Sequence, residues 1–458
     1  MGATADVFKA YDIRGIVPEQ LDAELCKAIG GAMARFAGAS RLVVGRDMRT
    51  SGVELSEAFA MGARAQGTAV IDVGMISTDC AYFASGKLDA PAAMFTASHN
   101  PADYNGIKLC LAGAKPIGRD TGLRDIEAMT QELLASPPPE DAQLAALERR
   151  DVLEDFADHV RSFVDTKSLR PLRVVADTAN GMGGLVVPAV MRGLPFDVEI
   201  LFGELDGTFP NHPADPIQPE NLRALNDAVL RSGADVGLAF DGDADRVFLV
   251  DERAEPVSGS LTTALVAVSM LDKHPGSTVL YNCICSRAVP EAIAEHGGKG
   301  VRTRVGHSFI KQVMAETGAV FGGEHSGHYY YRDNYRADSG IITALVVLEL
   351  MSKHVRPLSD LVAPYRRYAN SGEINTRVDD PAAAVEAVAS VEASQGTPVD
   401  RLDGLTADHG DWWYNLRPSN TEPLLRLNVE APDEASCERH VGEVLELVES
   451  AARTPRGS

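Results

Sequence analysis

Asp241, Asp243 and Asp245 stand at alternate positions in DGDADR, residues 241–246. On a helix these three carboxylates would point to different sides, and on a strand they would crowd charge onto one face. A tight loop, made accessible by Gly242, can instead turn all three inward around a hard cation. D-x-D-x-D also opens a calcium-binding EF-hand, and Glu252 falls at the twelfth position, but the sixth is Arg246 rather than glycine. Strand-like runs, not helices, flank the loop. A solvated acidic turn is the plain alternative, yet the preceding VGLAF is too apolar for a casual surface loop. Mg²⁺ fits the set best, being small, oxygen-seeking and commonly shared between carboxylates and a phosphate.

Three further loops carry reactive or ligand-holding types. TASHNP, residues 96–101, puts Ser98 beside His99 at the end of an apolar run. Its plain reading is Asn100 capping a helix that begins at Pro101. The chain lacks a G-x-S-x-G elbow around Ser98, and a hydrolase triad needs a histidine reaching across space rather than one adjacent in sequence. With a cation nearby, a phosphate on Ser98 would be the missing ligand. GEHSGH, residues 323–328, offers Glu324, Ser326 and His328 on one short arc, which suits a hydroxyl-rich ligand. A zinc pair from His325 and His328 lacks a third ligand nearby in sequence. LRPSNTEP, residues 416–423, reads as a loop in which Arg417, Ser419, Asn420 and Thr421 form a phosphate cradle, against the bland reading of an ordinary turn. KAYDIRG (residues 9–15) and RTRVGHSFIK (residues 302–311) are weaker basic elements.

The elements that must position these loops read as α/β layers. RLVVGRD and GTAVIDVG are strand-like, with the helical period of ELSEAFAMGARAQG between them. Similar series recur from LRVVADTANGMGG and from STVLYNCICS, and each ends in an apolar strand followed by one of TASHNP, DGDADR or GEHSGH. This is a weak structural repeat, and ligands of open α/β sheets bind beyond the carboxyl ends of strands, where all three loops would lie. Four domains follow: α/β units over residues 1–145 (serine loop), 146–251 (metal loop) and 252–366 (sugar loop), and a smaller α+β unit over 367–458 (phosphate loop).

Composition narrows the classes. The 458 residues are 45% apolar and 24% charged, ordinary for globular chains, with 65 acids against 43 bases and a net charge of −22. That field repels nucleic acid and acidic membrane surfaces, so an anionic ligand must be held by local basic groups. The apolar runs fall short of the roughly 20 residues that cross a bilayer. Six scattered cysteines without C-x-x-C, and an N-terminus without a basic stretch before an apolar core, read as free thiols in a cytoplasmic protein.

The ordered set KAYDIRG, TASHNP, DGDADR, GHSFIK, GEHSGH and RPSNTEP resembles the α-D-phosphohexomutase family, in its phosphomannomutase/phosphoglucomutase branch, over nearly the whole chain. The resemblance implies four domains around a central cleft, three of them α/β repeats. It also implies an isomerase that interconverts hexose 1- and 6-phosphates through a phosphoserine and a hexose 1,6-bisphosphate, which also acts as activator. Ser98 matches the phosphoserine, and Asp241, Asp243 and Asp245 match the Mg²⁺ ligands, with a phosphoserine oxygen completing the set. His99 is then a neighbour that shapes the loop. Lys108, Arg14, His307 and His328 would approach the reacting oxygen, without an assignment of acid and base among them. Tyr11 would contact the substrate, and Arg246 would hold phosphate or orient the metal site. Glu324 and Ser326 would take sugar hydroxyls, with His328 assisting, and Arg417, Ser419, Asn420 and Thr421 would grip the non-reacting phosphate. One departure stands out. Many relatives carry a lysine in the motif that here reads CICSRAVP, near Ile284, and Arg287, Arg302 or Arg304 would have to compensate.

The expected partner is a small phosphosugar, with no nucleic acid and no membrane; the motifs carry nothing on oligomeric state. Phosphoglucosamine mutase is the near alternative, although its sugar loop usually has another residue where His325 stands. A non-catalytic sugar-phosphate-binding protein would be expected to lose Ser98 or a metal aspartate, and all four are present. A Mg²⁺-dependent phosphatase would have to admit water that a closing cleft excludes.

Overall fold

The computed structural model describes residues 4, 7–139, 141, 143–419 and 424–453. Four sheets organise the chain. The first runs Ile13–Ile16, Tyr104–Leu111, Ala92–Phe95, Arg41–Arg46, Ala69–Met75, Leu147–Arg149, with Lys115–Pro116 on the side of Tyr104–Leu111. It therefore draws on chain a few residues beyond position 145. The second, of five strands, is ordered Pro256–Val257, Val247–Asp251, Val236–Phe240, Leu172–Asp177, Phe196–Leu201. The third has four strands, Lys299–Thr303, Thr278–Asn282, Phe321–Gly323 and Tyr329–Tyr331. The fourth is an antiparallel sheet built on Trp413–Pro418 and Leu424–Ala431 and covered by helices Pro381–Gln395 and Glu434–Arg453.

The expected repeat is explicit in the pairing. Ala92–Phe95 runs parallel to Arg41–Arg46 on one side and antiparallel to Tyr104–Leu111 on the other. Val236–Phe240 stands in the same way between Leu172–Asp177 and Val247–Asp251. Phe321–Gly323 does so between Thr278–Asn282 and Tyr329–Tyr331. All three strands are buried along their whole length, which explains their unbroken apolar or glycine sequence. In each, the loop that follows is the point where the chain reverses direction, and the three loops are TASHNP, DGDADR and GEHSGH. Pro101 starts no helix: the chain turns and enters Tyr104–Leu111 directly.

Packing divides the molecule unevenly. One apolar cluster runs through the first three lobes, joining Phe83 and Met94 of the first, Phe156 and Leu238 of the second, and Phe321, Ile341 and Leu345 of the third. Helix Gly340–His354 is buried almost throughout, and the Ser339 hydroxyl before it donates to Asp79 of the first lobe at 2.6 Å. The fourth lobe keeps a separate core around Tyr414, Leu427 and Val444. All six cysteines are unpaired and buried, as expected. No helix among the described residues is long and apolar enough to cross a membrane.

Candidate active site

Ser98 sits at the mouth of the first lobe with a left-handed backbone, φ 49°. A serine held there needs outside support, and Arg49 supplies it. That guanidinium, fully buried, donates to the carbonyls of Ser98 (3.0 Å), Asn100 (2.6 Å), Pro101 (2.6 Å) and Tyr104 (2.8 Å). Gly242 has a role different from the one its sequence suggests. The positive φ of the metal loop belongs to Ala244, at 60°, whereas a Cβ at Gly242 would stand 2.4 Å from the Ser98 carbonyl oxygen. Glycine there lets the second lobe's loop close onto the first lobe's serine.

The contact so made is polar and dense. The Ser98 hydroxyl donates to Asp241 Oδ2 at 2.7 Å, and the same oxygen accepts from Arg246 Nε at 2.8 Å. Arg246 Nη2 donates to His99 Nδ1 at 2.7 Å and lies 3.3 Å from the Ser98 oxygen. Burial, with the Arg246 and Arg14 charges, holds the His99 imidazole well below its usual pKa. It is a neutral acceptor already engaged by Arg246, which suits a loop-shaping neighbour and not a triad base.

Lys108 Nζ bridges Asp243 Oδ2 (2.7 Å) and Asp245 Oδ2 (2.6 Å), and Thr78 Oγ1 donates to Asp243 Oδ2 at 2.6 Å. Burial pushes the Asp241 carboxyl up against the pull of the Arg246 charge, its aspartate neighbours adding to the rise. For Asp243 burial acts the same way, but the Lys108 ammonium overrides it and holds the carboxyl well below the usual range. The three aspartates are each at most 1% exposed, and one ligand oxygen from each falls within 4.8 Å of the others. Asp243 Oδ1 and Asp245 Oδ1 are buried without a hydrogen-bond partner. Acceptors left bare in this way cost free energy unless a cation satisfies them. The residues therefore fit a hard divalent ion. Asp245, His328 and Asp338 also lie close enough to share an ion, but His328 Nδ1 already hydrogen-bonds Asp338 Oδ2 at 2.8 Å, and Lys311 Nζ is 2.9 Å from Asp338.

The third lobe's turn meets this centre through a backbone bridge between Arg246 and His328. Glu324, 1% exposed, accepts from Tyr330 OH (2.6 Å), Asn282 Nδ2 (3.1 Å) and the Gly306 N–H (3.0 Å), so its carboxylate is rigidly aimed. Ser326 is half-buried at the tip. Arg14 is tied to Asp12 and to Asn100 Oδ1. Tyr11 packs edge-on against Phe309 at 5.9 Å. Burial first, then the Asp403 charge, raises the Tyr11 phenol, and Arg304, Glu324 and Arg417 also act on it. Lobes one, three and four therefore converge at Tyr11. The His307 side chain lies outside what is described, as do Asn420 and Thr421.

Arg417 corrects the reading of residues 416–423 as a loop: it belongs to strand Trp413–Pro418, where it donates to Glu373 Oε2 (2.6 Å) and Asn428 Oδ1 (3.1 Å). Ser419 follows directly, its N–H donating to the Leu424 carbonyl at 2.8 Å. Of the arginines offered in place of the relatives' lysine, Arg287 is committed to Asp408 (2.6 Å) and Arg302 is paired with Asp400. Arg304 has no carboxylate partner among the described residues and lies over the Phe309 ring at 4.2 Å. Arg49, Thr78, Asn282, Tyr330 and Glu373 escaped the sequence reading. For Arg49 a signal exists: DMR, residues 47–49, follows directly on strand Arg41–Arg46, at the same carboxyl edge as the serine loop.

Family sequence profiles match in the same order. Those for phosphoglucomutase/phosphomannomutase cover residues 5–135 (alpha/beta/alpha domain I), 154–255 (domain II), 258–368 (domain III) and 373–447 (C-terminal domain). The chain belongs to this family. A protein of Xanthomonas campestris named for phosphohexose mutases is 42% identical over 436 residues, 94% of this chain and 96% of its own. The phosphomannomutase of Escherichia coli K12 is 38% identical over 431 residues, 93% and 94% of the two chains. Among solved structures, a phosphoglucomutase/phosphomannomutase family protein from Burkholderia thailandensis superposes with a TM-score of 0.88 at 30% identity, covering 99% of this chain and 98% of that one.

Proposed function

We propose that this chain is a phosphohexose mutase that interconverts hexose 1-phosphate and hexose 6-phosphate, with mannose and glucose phosphates as substrates. The observation that supports this best is the Ser98 hydroxyl 2.7 Å from Asp241, beside two bare carboxylate oxygens and the Arg246 guanidinium. That is the surrounding a phosphoserine needs.

In the working enzyme Ser98 carries the phosphoryl group. Its Oγ–P bond breaks as a sugar hydroxyl oxygen bonds to phosphorus, giving a hexose 1,6-bisphosphate. The bisphosphate turns around, and the phosphoryl group at its other end returns to Ser98. Asp241, Asp243 and Asp245, with Ser98, would hold a Mg²⁺ ion, which would supply charge neutralisation at the phosphoryl group. Arg246 contributes fixed positive charge at the Ser98 oxygen and holds Asp241 in place. Lys108 stays protonated, since burial disfavours its charge but Asp243 and Asp245 outweigh that. Its ammonium, 11% exposed, is thus a positive group at the reacting edge. Lys108 and Arg14 carry their charge and stabilise the reacting oxygen without taking its proton, which passes to the imidazole of His307 or His328. His328 is set for such work by Asp338, which fixes its Nδ1 and leaves Nε2 as the second ring nitrogen. Glu324 and Ser326 bind the 3- and 4-hydroxyls, which exchange places when the sugar turns, and Arg417 and Ser419 with Asn420 and Thr421 hold the non-reacting phosphate.

A coupled mutase assay with mannose 1-, glucose 1- and glucosamine 1-phosphate in parallel tests this reading. Mannose and glucose phosphates should both turn over, with kcat/KM within ~10²-fold, as expected without a dedicated polar contact to the 2-hydroxyl. Turnover of glucosamine 1-phosphate alone would make the chain a phosphoglucosamine mutase, and no turnover with any sugar would leave a binding protein.

A further inference from the structure

Arg417 and Arg426 stand directly opposite each other on antiparallel strands of the fourth lobe. Like charges in that relation repel, so a counter-anion is expected, and the chain supplies its own. Glu373 Oε2 lies 2.6 Å from Arg417 Nη2, and its Oε1 lies 3.4 Å from Arg426 Nη1. The carboxylate is held in place by the preceding turn. Gly372 adopts φ 69°, its N–H donates to Asn370 Oδ1 at 2.7 Å, and its carbonyl accepts from Asn428 Nδ2 at 3.1 Å. Asn428 in turn accepts from Arg417.

The match is incomplete. Among the described residues, Arg426 Nε is buried without an acceptor, and Arg426 Nη2 lies 3.4 Å from Ser419 Oγ. Among the described residues, two guanidinium groups face one carboxylate and keep a net positive charge, with the Arg426 Nε donor to spare. A phosphoryl dianion offers more oxygens and twice the charge, and it cannot share the arginines comfortably with a carboxylate.

We propose that Glu373 is a resident competitor for the substrate's non-reacting phosphate: its carboxylate occupies the Arg417–Arg426 pair in the empty cleft and yields it when a phosphosugar binds. This rests on the reading of Arg417 as a phosphate-binding residue. Apparent affinity falls by the fraction of molecules in which the arginines are free. The returning carboxylate also helps eject the phosphate, which a bisphosphate that must turn around requires. Tight uniform binding would lower KM without raising kcat.

Glu373→Gln, neutral and of the same shape, separates this role from mere positioning of Arg417. With Mg²⁺ present, KM for glucose 1-phosphate and the inhibition constant of inorganic phosphate should both fall about fivefold, as expected for removing a half-buried competing ion pair. kcat should stay level or drop. Glu373→Asp, whose shorter arm spans the two guanidinium groups poorly, should move both constants the same way by less. Unchanged or increased KM and inhibition constants in Glu373→Gln would overturn the proposal. Arg417→Gln run alongside distinguishes the failures. If it raises KM while Glu373→Gln does not lower it, only the competitor role falls; if it leaves KM unchanged, the phosphate reading of Arg417 falls and the competitor role with it.

Discussion

The two ends of the site are built to opposite specifications. At the Ser98 end, lobes one to three share one apolar core, and the polar groups interlock: Arg49 on four carbonyls, Arg246 on Asp241 and His99, Lys108 on two aspartates. At the Arg417 end the fourth lobe has its own core, and the arginines meet a partly exposed carboxylate with a donor left over. Bond making demands atoms placed to within a fraction of an ångström. Gripping a phosphate needs only charge and a fork, and the grip must also let go. Rigidity is concentrated where chemistry happens, and looseness where the ligand is handed over.

Substitutions can break this contrast at graded depth. The largest effect belongs to Ser98→Ala, which removes the covalent step and should cost at least ~10²-fold in kcat. The mass increment of about 80 Da carried by the active wild-type protein should be absent from the variant. Near-full turnover without it would undo the account of that end.

Arg49→Lys comes next. An ammonium is a point charge without the planar fork, so it cannot reach four separate carbonyls. Turnover should fall by roughly 10- to 100-fold with KM little changed, and the melting temperature should drop by several degrees, because a buried network is broken. Equal losses in KM and kcat would mean that the loop is not what Arg49 holds.

At the other end Arg417→Lys should cost about tenfold in kcat/KM, with two charge-assisted bonds reduced to one. Stability should change little by comparison with Arg49→Lys, and a larger melting shift than that variant shows would erase the contrast. Thr78→Val is the mildest probe. It removes one donor from Asp243 while Lys108 remains, so a few-fold loss in kcat and about 1 kcal/mol of stability are expected from one hydrogen bond to a charged group. A null effect on kcat would show that Lys108 alone orients that carboxylate.

What the sequence made legible follows the same division. The three loop-bearing strands announce themselves as short apolar runs stopped by polar turns, because burial on both faces leaves no room for another pattern. The aspartate triplet is local in sequence, so its chemistry can be read from spacing. Arg49, Thr78 and Glu373 act on residues 49, 165 and 44 positions away. No local period encodes such contacts, which exist only once lobes have packed. Gly242 stands out in the sequence for a turn it does not make: the constraint is the approach of another lobe's backbone, and a single chain segment carries no trace of it. Arg417 reads as a loop residue because Pro418 and Ser419 favour turns, but strand Leu424–Ala431 pairs with Arg417 and Pro418 and keeps them in the sheet.

The sealed thiols give the molecule a reporter of its own opening. Cys26, Cys80 and Cys110 lie in the first lobe, Cys283 and Cys285 in the third and Cys437 in the fourth, and burial pushes every one of them up from its ordinary pKa. Protonated and covered, they resist alkylating reagents until the surrounding layer opens. Because the fourth lobe has a core apart from the shared one, Cys437 should be modified under milder denaturant than Cys80, Cys110 and Cys285, which lie in that shared core. The order of labelling would then read out which layer loosens first, one lobe at a time, without a probe being added to the chain.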